Sequence, residues 1–169
     1  MDDSKRASIA GQSQFYPLLF PKRVLKFEDV TKTVADLEYA IDVQVAVDAP
    51  HLRAPLRFSV QERWRTDLGA MQWGDVTVTE WNLDTGQPSE LHKLAAHLFV
   101  YGFYDKEEDK IVAAAAVEVA RMLRALSLGK LAPTRKLRGD QSFLAFALDE
   151  LESVGAVIFR GRLLKCRAS

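Results

Sequence analysis

Residues 39–47 and 56–65 alternate between apolar and polar side chains, and that period of two commits this part of the chain to a β-sheet. In the first run Tyr39, Ile41, Val43, Val45 and Val47 stand against Ala40, Asp42, Gln44 and Ala46. In the second, Phe58 and Val60 share one face, and Ser59, Gln61, Arg63 and Arg65 share the other. Successive side chains of a strand point to opposite faces. Two such strands side by side bring an acid next to a carboxamide and a guanidinium, which is a candidate phosphate or metal site. The same pattern is also that of an ordinary solvated strand, because exposed faces are polar by default.

The chain has 169 residues, with 23 basic and 23 acidic side chains and no formal net charge. That length suits one domain able to bury a core. We expect an N-terminal tail over residues 1–20, polar and loose over 1–14 and with an apolar Phe15–Phe20 stretch that packs onto the domain without a regular element, and a single domain over 21–169. The zero balance argues against a broadly basic nucleic-acid binder and leaves room for a local basic groove. The single cysteine, Cys166, allows no intrachain disulfide and no cysteine metal site. No apolar run approaches the roughly 20 residues that span a bilayer. The start, Met1-Asp2-Asp3-Ser4-Lys5-Arg6, lacks the apolar core of a signal peptide. These features predict a cytoplasmic protein with no membrane association.

Along the chain, Val24, Phe27, Val30 and Val34 have roughly helical spacing, which Thr31 and Thr33 weaken in favour of a short strand. After the two alternating runs, residues 74–82 alternate again and predict a third strand. Asp84-Thr85-Gly86-Gln87-Pro88 is turn chemistry. Ser89 is placed to cap a helix carrying Leu91, Leu94, Ala95 and Leu98, which runs into a buried strand at Phe99–Tyr104. Ile111–Val117 predicts a strand, 118–128 a helix ended by Gly129, and 133–141 a basic loop. Phe143–Phe146 predicts a short strand, 148–154 a helix stopped by Gly155, and 157–159 a last strand. The expected fold is a mixed α/β domain with one central sheet flanked by helices.

From Asp36 to Tyr104 this order resembles the PD-(D/E)XK nuclease-like superfamily, whose restriction-endonuclease-like core runs α-β-β-β-α-β. The resemblance rests on Ile41-Asp42 on one strand, on Val60-Gln61-Glu62-Arg63 on the next, and on a third strand followed by a helix and an apolar strand. It implies magnesium- or manganese-dependent hydrolysis of a phosphodiester by an endonuclease acting on DNA. Asp42 would hold the metal, Gln61 would be a weaker ligand, and Arg63 would bind the phosphate. Many members place an acid on the first helix; Glu28 matches that role best, with Asp29 and Asp36 as competitors. Arg65, together with Arg135, Lys136 and Arg138 of the basic loop, would contact nucleic acid. The resemblance also admits a homodimer in which each subunit cuts one strand.

The chain departs from the superfamily pattern twice. Gln61 stands where an acid is expected and brings no charge; Arg63 stands where lysine is expected and is a poor proton donor or acceptor. Glu62 lies on the opposite face of a regular strand and would replace the acid only through a bulge. The alternative is a nuclease-like domain without catalysis that binds nucleic acid or a protein partner. His92 and His97 lie five apart, which is not a zinc-helix spacing. Trp64, Trp73 and Trp81 are placed to pack in the core or at its rim, with base stacking as the other use.

Overall fold

A computed structural model describes residues 3–21, 23–68 and 74–163; Trp73 and Cys166 lie outside them. It is a mixed α/β structure of three layers. The middle layer is a six-stranded sheet in the order β1(Val24–Asp29), β2(Val43–Val47), β3(Leu56–Arg65), β6(Leu98–Asp105), β7(Lys110–Glu118), β10(Val157–Arg162). The first three strands form an antiparallel meander, and β6 runs parallel to β3. Between them the chain builds most of a second, four-stranded antiparallel sheet, ordered β5(Gln87–Pro88), β4(Asp75–Asn82), β9(Gln141–Ala147), β8(Thr134–Arg138).

Each face of the central sheet has its own core. On one side lie α1(Asp3–Ala10), a π-helical turn at Gly11–Phe15 and α2(Tyr16–Leu19). They pack Ala7, Phe15 and Tyr16 onto Val43, Val45, Val60, Val100 and Tyr104. On the other side the second sheet, α5(Val119–Ser127) and α6(Leu148–Ser153) close over Phe99, Tyr101, Val117, Met122 and Phe146. A strand covered on both faces reads as a continuous apolar run, which is why Phe99–Tyr104 was recognisable from sequence.

The predicted third strand exists as β4, but it belongs to the second sheet instead of the central one. The meander uses β1 in its place. Val24 and Phe27 are the half-buried residues of a short edge strand, spaced three apart across a register shift between Val24 and Lys26, and not one face of a helix. The chain leaves β1 at once: Asp29 accepts hydrogen bonds from the Thr31 amide and hydroxyl at 3.0 and 2.6 Å, and Lys32 takes a positive φ of 63°. Only then does α3(Val34–Tyr39) form, ended by Ala40 in the left-handed region at φ 48°. The helix predicted after Ser89 is a single turn, α4(Glu90–Lys93), and the basic loop is β8 and its turn into β9.

The largest departure is the N-terminal segment. Residues 3–14, expected within a loose polar tail, form helical structure with Ala7 fully buried, and together with the Phe15–Phe20 stretch, which packs as expected with Phe15 and Tyr16 fully buried, they make the layer over one sheet face. Their polarity is one-sided. Arg6 reaches Asp109 and the Lys106 carbonyl on the β6–β7 turn, and Gln14 accepts from the Ile111 amide at 2.9 Å and donates to the Asp109 carbonyl at 3.0 Å. Trp64 locks the layer to the sheet. A Cβ on Gly11 would stand 2.7 Å from its ring, and one on Gly102 would stand 2.5 Å from it and 2.7 Å from the Ala113 carbonyl oxygen. Only glycine fits at Gly102, because ring and backbone close on it from two directions. Gly102→Ala is expected to cost about 1–3 kcal/mol through overpacking, seen as a lower urea midpoint.

A candidate active site of two part-buried carboxylates

Asp42 precedes β2, and its side chain does what the strand no longer does. The Asp42 amide donates to the Val60 carbonyl at 2.9 Å, continuing the β2–β3 ladder, but the next amide of β3, that of Glu62, donates to Asp42 Oδ2 at 2.7 Å. The main chain at Ile41 has already turned away, its amide bonded to the Ala35 carbonyl at 3.2 Å. The left-handed residue Ala40 makes that turn. The carboxylate therefore replaces a ladder carbonyl and lies against β3.

Glu62 lies on the face of β3 shared with Phe58, Val60 and Trp64, under the N-terminal layer. The fully buried Tyr16 hydroxyl donates to Glu62 Oε1 at 2.6 Å. Burial pushes the Glu62 carboxyl above its ordinary range, against hydrogen bonding from Ser8 and Tyr16 that favours the charged form. The indole N–H of Trp64 is nearby at a geometry short of a hydrogen bond, and its Nε1 is buried without a partner. The Tyr16 hydroxyl is held protonated far above neutrality, first by burial and then by the Glu62 charge. Burial also raises Asp42 to about 7; the Glu62 amide opposes this, and the charges of Glu62, Asp36 and Glu90 add to it.

These two acids lie in a cleft of about 620 Å³. Asp42, Gln61, Glu62 and Trp64 line it from the sheet. Ser4, Lys5, Ser8, Ile9 and Gln12 of the N-terminal layer line one side, and Asp29, Thr31 and Lys32 of the β1–α3 turn line another. The Oε1 atom of Gln61 is buried with no hydrogen-bond partner. All the site's donors to a cation are hard oxygens. Among the described residues no three His, Cys, Asp or Glu side chains converge as a metal-binding group, so the set here is a carboxylate pair. Magnesium is commonly held by one or two carboxylates, with waters and substrate phosphate completing its shell. The residues present fit such an ion.

The other sequence candidates lie elsewhere. Arg63 points to the opposite face of β3, where it bonds Thr79 Oγ1 at 2.8 Å and Glu90 Oε2 at 2.5 Å. Arg65 follows it, donating to Thr77 Oγ1 at 2.9 Å and packing over the Tyr101 ring. Glu28 is exposed on β1 beside Lys26. Arg135 grips Glu80 through two bonds of 2.6 and 2.8 Å, Lys136 pairs with Asp75 at 2.5 Å, and Arg138 is exposed at the end of β8. Of the eight side chains singled out from sequence, only Asp42 and Gln61 line the cleft. Glu62 and Asp29, weighed only as alternatives, also line the cleft, and Tyr16 and Lys5 were not considered; the signal for Glu62 was its place in the 58–60–62–64 alternation.

No protein-family model matches this chain, and no curated protein matches it in sequence. Among solved structures it is similar to D212, a nuclease from a fusselovirus, at 13% identity over 89% of this chain and 86% of that one, with a TM-score of 0.35. That likeness is too distant to carry over a residue or an activity. Among the described residues no helix is long and apolar enough to cross a membrane.

Two outcomes follow from the geometry. An ordinary aspartate titrates near 3.8, so native Asp42 holds its proton more tightly than the unfolded chain does. Its contribution to stability is complete below 3.8 and is lost as pH rises through about 7. Asp42→Asn keeps an oxygen for the Glu62 amide. In metal-free buffer it should flatten the loss of stability over that range relative to the native chain, with urea midpoints as the measure. Arg63→Ala should cost about 3 kcal/mol at neutral pH, because it strands the Glu90 carboxylate in a buried site; thermal unfolding reads it.

Proposed function

We propose that this protein is a metal-dependent phosphodiesterase acting on DNA, a nuclease of the PD-(D/E)XK type, with Asp42 and Glu62 as its ligand pair. The observation that carries this is the pairing of charge: two adjacent part-buried acids line a cleft while Arg63 of the same strand is taken up by Glu90 on the other face. Withdrawing carboxylates from water is costly, and a site that tolerates it is a functional candidate. The order of elements supports the reading. In chain order the central sheet is served by the N-terminal helices, three meander strands β1, β2 and β3, the turn α4 and the parallel strand β6.

Asp42 and Glu62 would hold magnesium or manganese. When bound, the ion polarises the phosphoryl group and lowers the pKa of a water. The chain's own residues do the rest. The Glu62 amide fixes Asp42 Oδ2 and leaves Oδ1 for the ion. Tyr16 holds Glu62 Oε1 and keeps that carboxylate oriented. Lys5 and Lys32 bring positive charge to the cleft, where the phosphates of a substrate need it. With Glu62 as the acid, the triplet becomes Glu62-Arg63-Trp64, and the position where the superfamily carries lysine holds a wedged indole. That substitution favours a second reading, a cleft that binds metal and nucleic acid without cutting.

Plasmid nicking in manganese or magnesium should fall at least ~100-fold in Asp42→Ala and in Glu62→Gln, the scale of losing a metal ligand or its support. Calorimetric titration of manganese separates the readings. Binding to the native chain with no cleavage of any nucleic acid selects the binding module, and no binding at all removes the metal site.

A further inference from the structure

We infer that the substrate enters this cleft as a single strand of nucleic acid, and that a continuous duplex is excluded. The inference rests on the metal-site reading above. It comes from the walls of the cleft and not from the acids. The carboxylates lie at the sheet, Glu62 beneath the N-terminal layer, with the α1 side chains Ser4, Lys5, Ser8 and Ile9 on one flank and Asp29, Thr31 and Lys32 on the other. A phosphate must pass between these flanks to reach them.

Neither flank is free to swing aside. The α1 layer is tied down at both ends of its run: Arg6 and Gln14 bond to the β6–β7 turn, Ala7, Phe15 and Tyr16 are fully buried, and Gly11 lies in contact with the Trp64 ring. The opposite flank is stapled by Asp29 to Thr31 and by the Lys32 amide to Asp36 Oδ2 at 2.7 Å. A volume of about 620 Å³ falls in the class that encloses a small molecule. It holds one or two nucleotide units. A duplex carries its phosphates on the outside of a stiff cylinder and cannot lower one between fixed walls without unpairing. A single strand has no such limit, because its phosphates turn inward one at a time.

The chemistry of the walls agrees with a backbone reader. Lys5 and Lys32 belong to different flanks, so a strand threading the cleft meets one cation on each side. Ser4, Ser8, Gln12 and Thr31 offer neutral hydrogen bonds, and Ile9, 48% exposed, offers an apolar surface to a sugar or base. Trp64, the aromatic side chain of the cleft, is wedged against Gly11 and Gly102 and has no face to stack on a base. Recognition here is of strandedness and charge, with little sequence preference.

The test uses the full chain and labelled oligonucleotides of about 16 nucleotides, the upper range of single-strand sites: a DNA strand, the same strand as RNA, a blunt duplex, and a duplex with an unpaired tail. Fluorescence anisotropy in EDTA at low salt reads strand preference whether or not a metal binds, and cleavage in manganese reads it in the working site. The expected result is at least ~10-fold tighter binding and faster cutting of single strands and tails than of the blunt duplex; the two sugar types tell DNA from RNA. A Lys5→Ala/Lys32→Ala chain should bind manganese at least as tightly as the native chain and make the salt dependence of single-strand binding shallower by about 1.4, the value for two lost phosphate contacts. Equal or tighter binding of the blunt duplex, or its equal cleavage, overturns the inference and leaves the metal site standing. A chain that prefers single strands in EDTA yet binds no manganese keeps the inference about the cleft and removes the catalytic reading.

Discussion

The amide of Glu62 bonds to the Asp42 carboxylate at 2.7 Å, and the geometry around the cleft follows from it. A strand amide must find an acceptor when it leaves water. At the end of β2 the usual acceptor, a carbonyl of the neighbouring strand, has been turned away by α3 and the left-handed Ala40. Asp42 fills the vacancy, and in doing so it is fixed next to Glu62. One of its oxygens is spent on structure, and the other is left in a poorly solvated place beside a second acid. The fold thus makes the charge imbalance by satisfying a hydrogen bond. The same bond partly repays the burial by favouring the ionised form of Asp42, but burial and the neighbouring charges outweigh it.

β3 divides its labour between its faces. Its even-numbered residues from Phe58 to Trp64 meet the N-terminal layer, and its odd-numbered residues meet the second sheet. On the odd face Arg63 meets Glu90 and Thr79, Arg65 meets Thr77 and Tyr101, and the Thr79 amide donates to Glu90 Oε2 at 3.1 Å. On the even face Glu62 is met by hydrogen-bond donors, Tyr16 above all. Polar groups buried between sheets must be satisfied or they weaken the packing. Each face leaves atoms short of that demand: Gln61 Oε1 and Glu90 Oε1 on the odd face, and Trp64 Nε1 on the even face.

Much of the architecture was legible because burial writes a period into the chain. The run at 56–65 was bounded as β3, and 111–117, 118–128 and 148–154 were placed to within a residue or two of β7, α5 and α6. The site was legible only at Asp42 and Gln61. Strict alternation carried through Asp42 puts it on the face of Gln61 and Arg63, and that extrapolation fails because β2 begins at Val43. The one-residue turn at Ala40 needs no glycine, asparagine or proline, so nothing in the local sequence announces it. Once Asp42 leaves the ladder, no bulge is needed for it to meet Glu62. The N-terminal layer was illegible for a different reason. Ala7 and Ala10 are small, and their complete burial depends on the valines of β2 and β3 beneath them, which are far away in sequence.

That layer also decides what kind of site this is. Without the N-terminal layer, Asp42 and Glu62 would stand on an open sheet face, and water would screen both charges. With it, Tyr16 covers Glu62, Ser8 comes within reach of the same carboxylate, and the acids gain a wall and a lysine. Desolvation raises the protonation midpoint of Asp42 to about 7, so in the proposed site a divalent ion would displace a proton as it binds near neutrality. The wall that desolvates the acids would be the same wall that narrows the approach of a polyanion. Under the proposed function, metal affinity and substrate shape would be coupled through the N-terminal layer, and the glycine–tryptophan contact that seats that layer would set both.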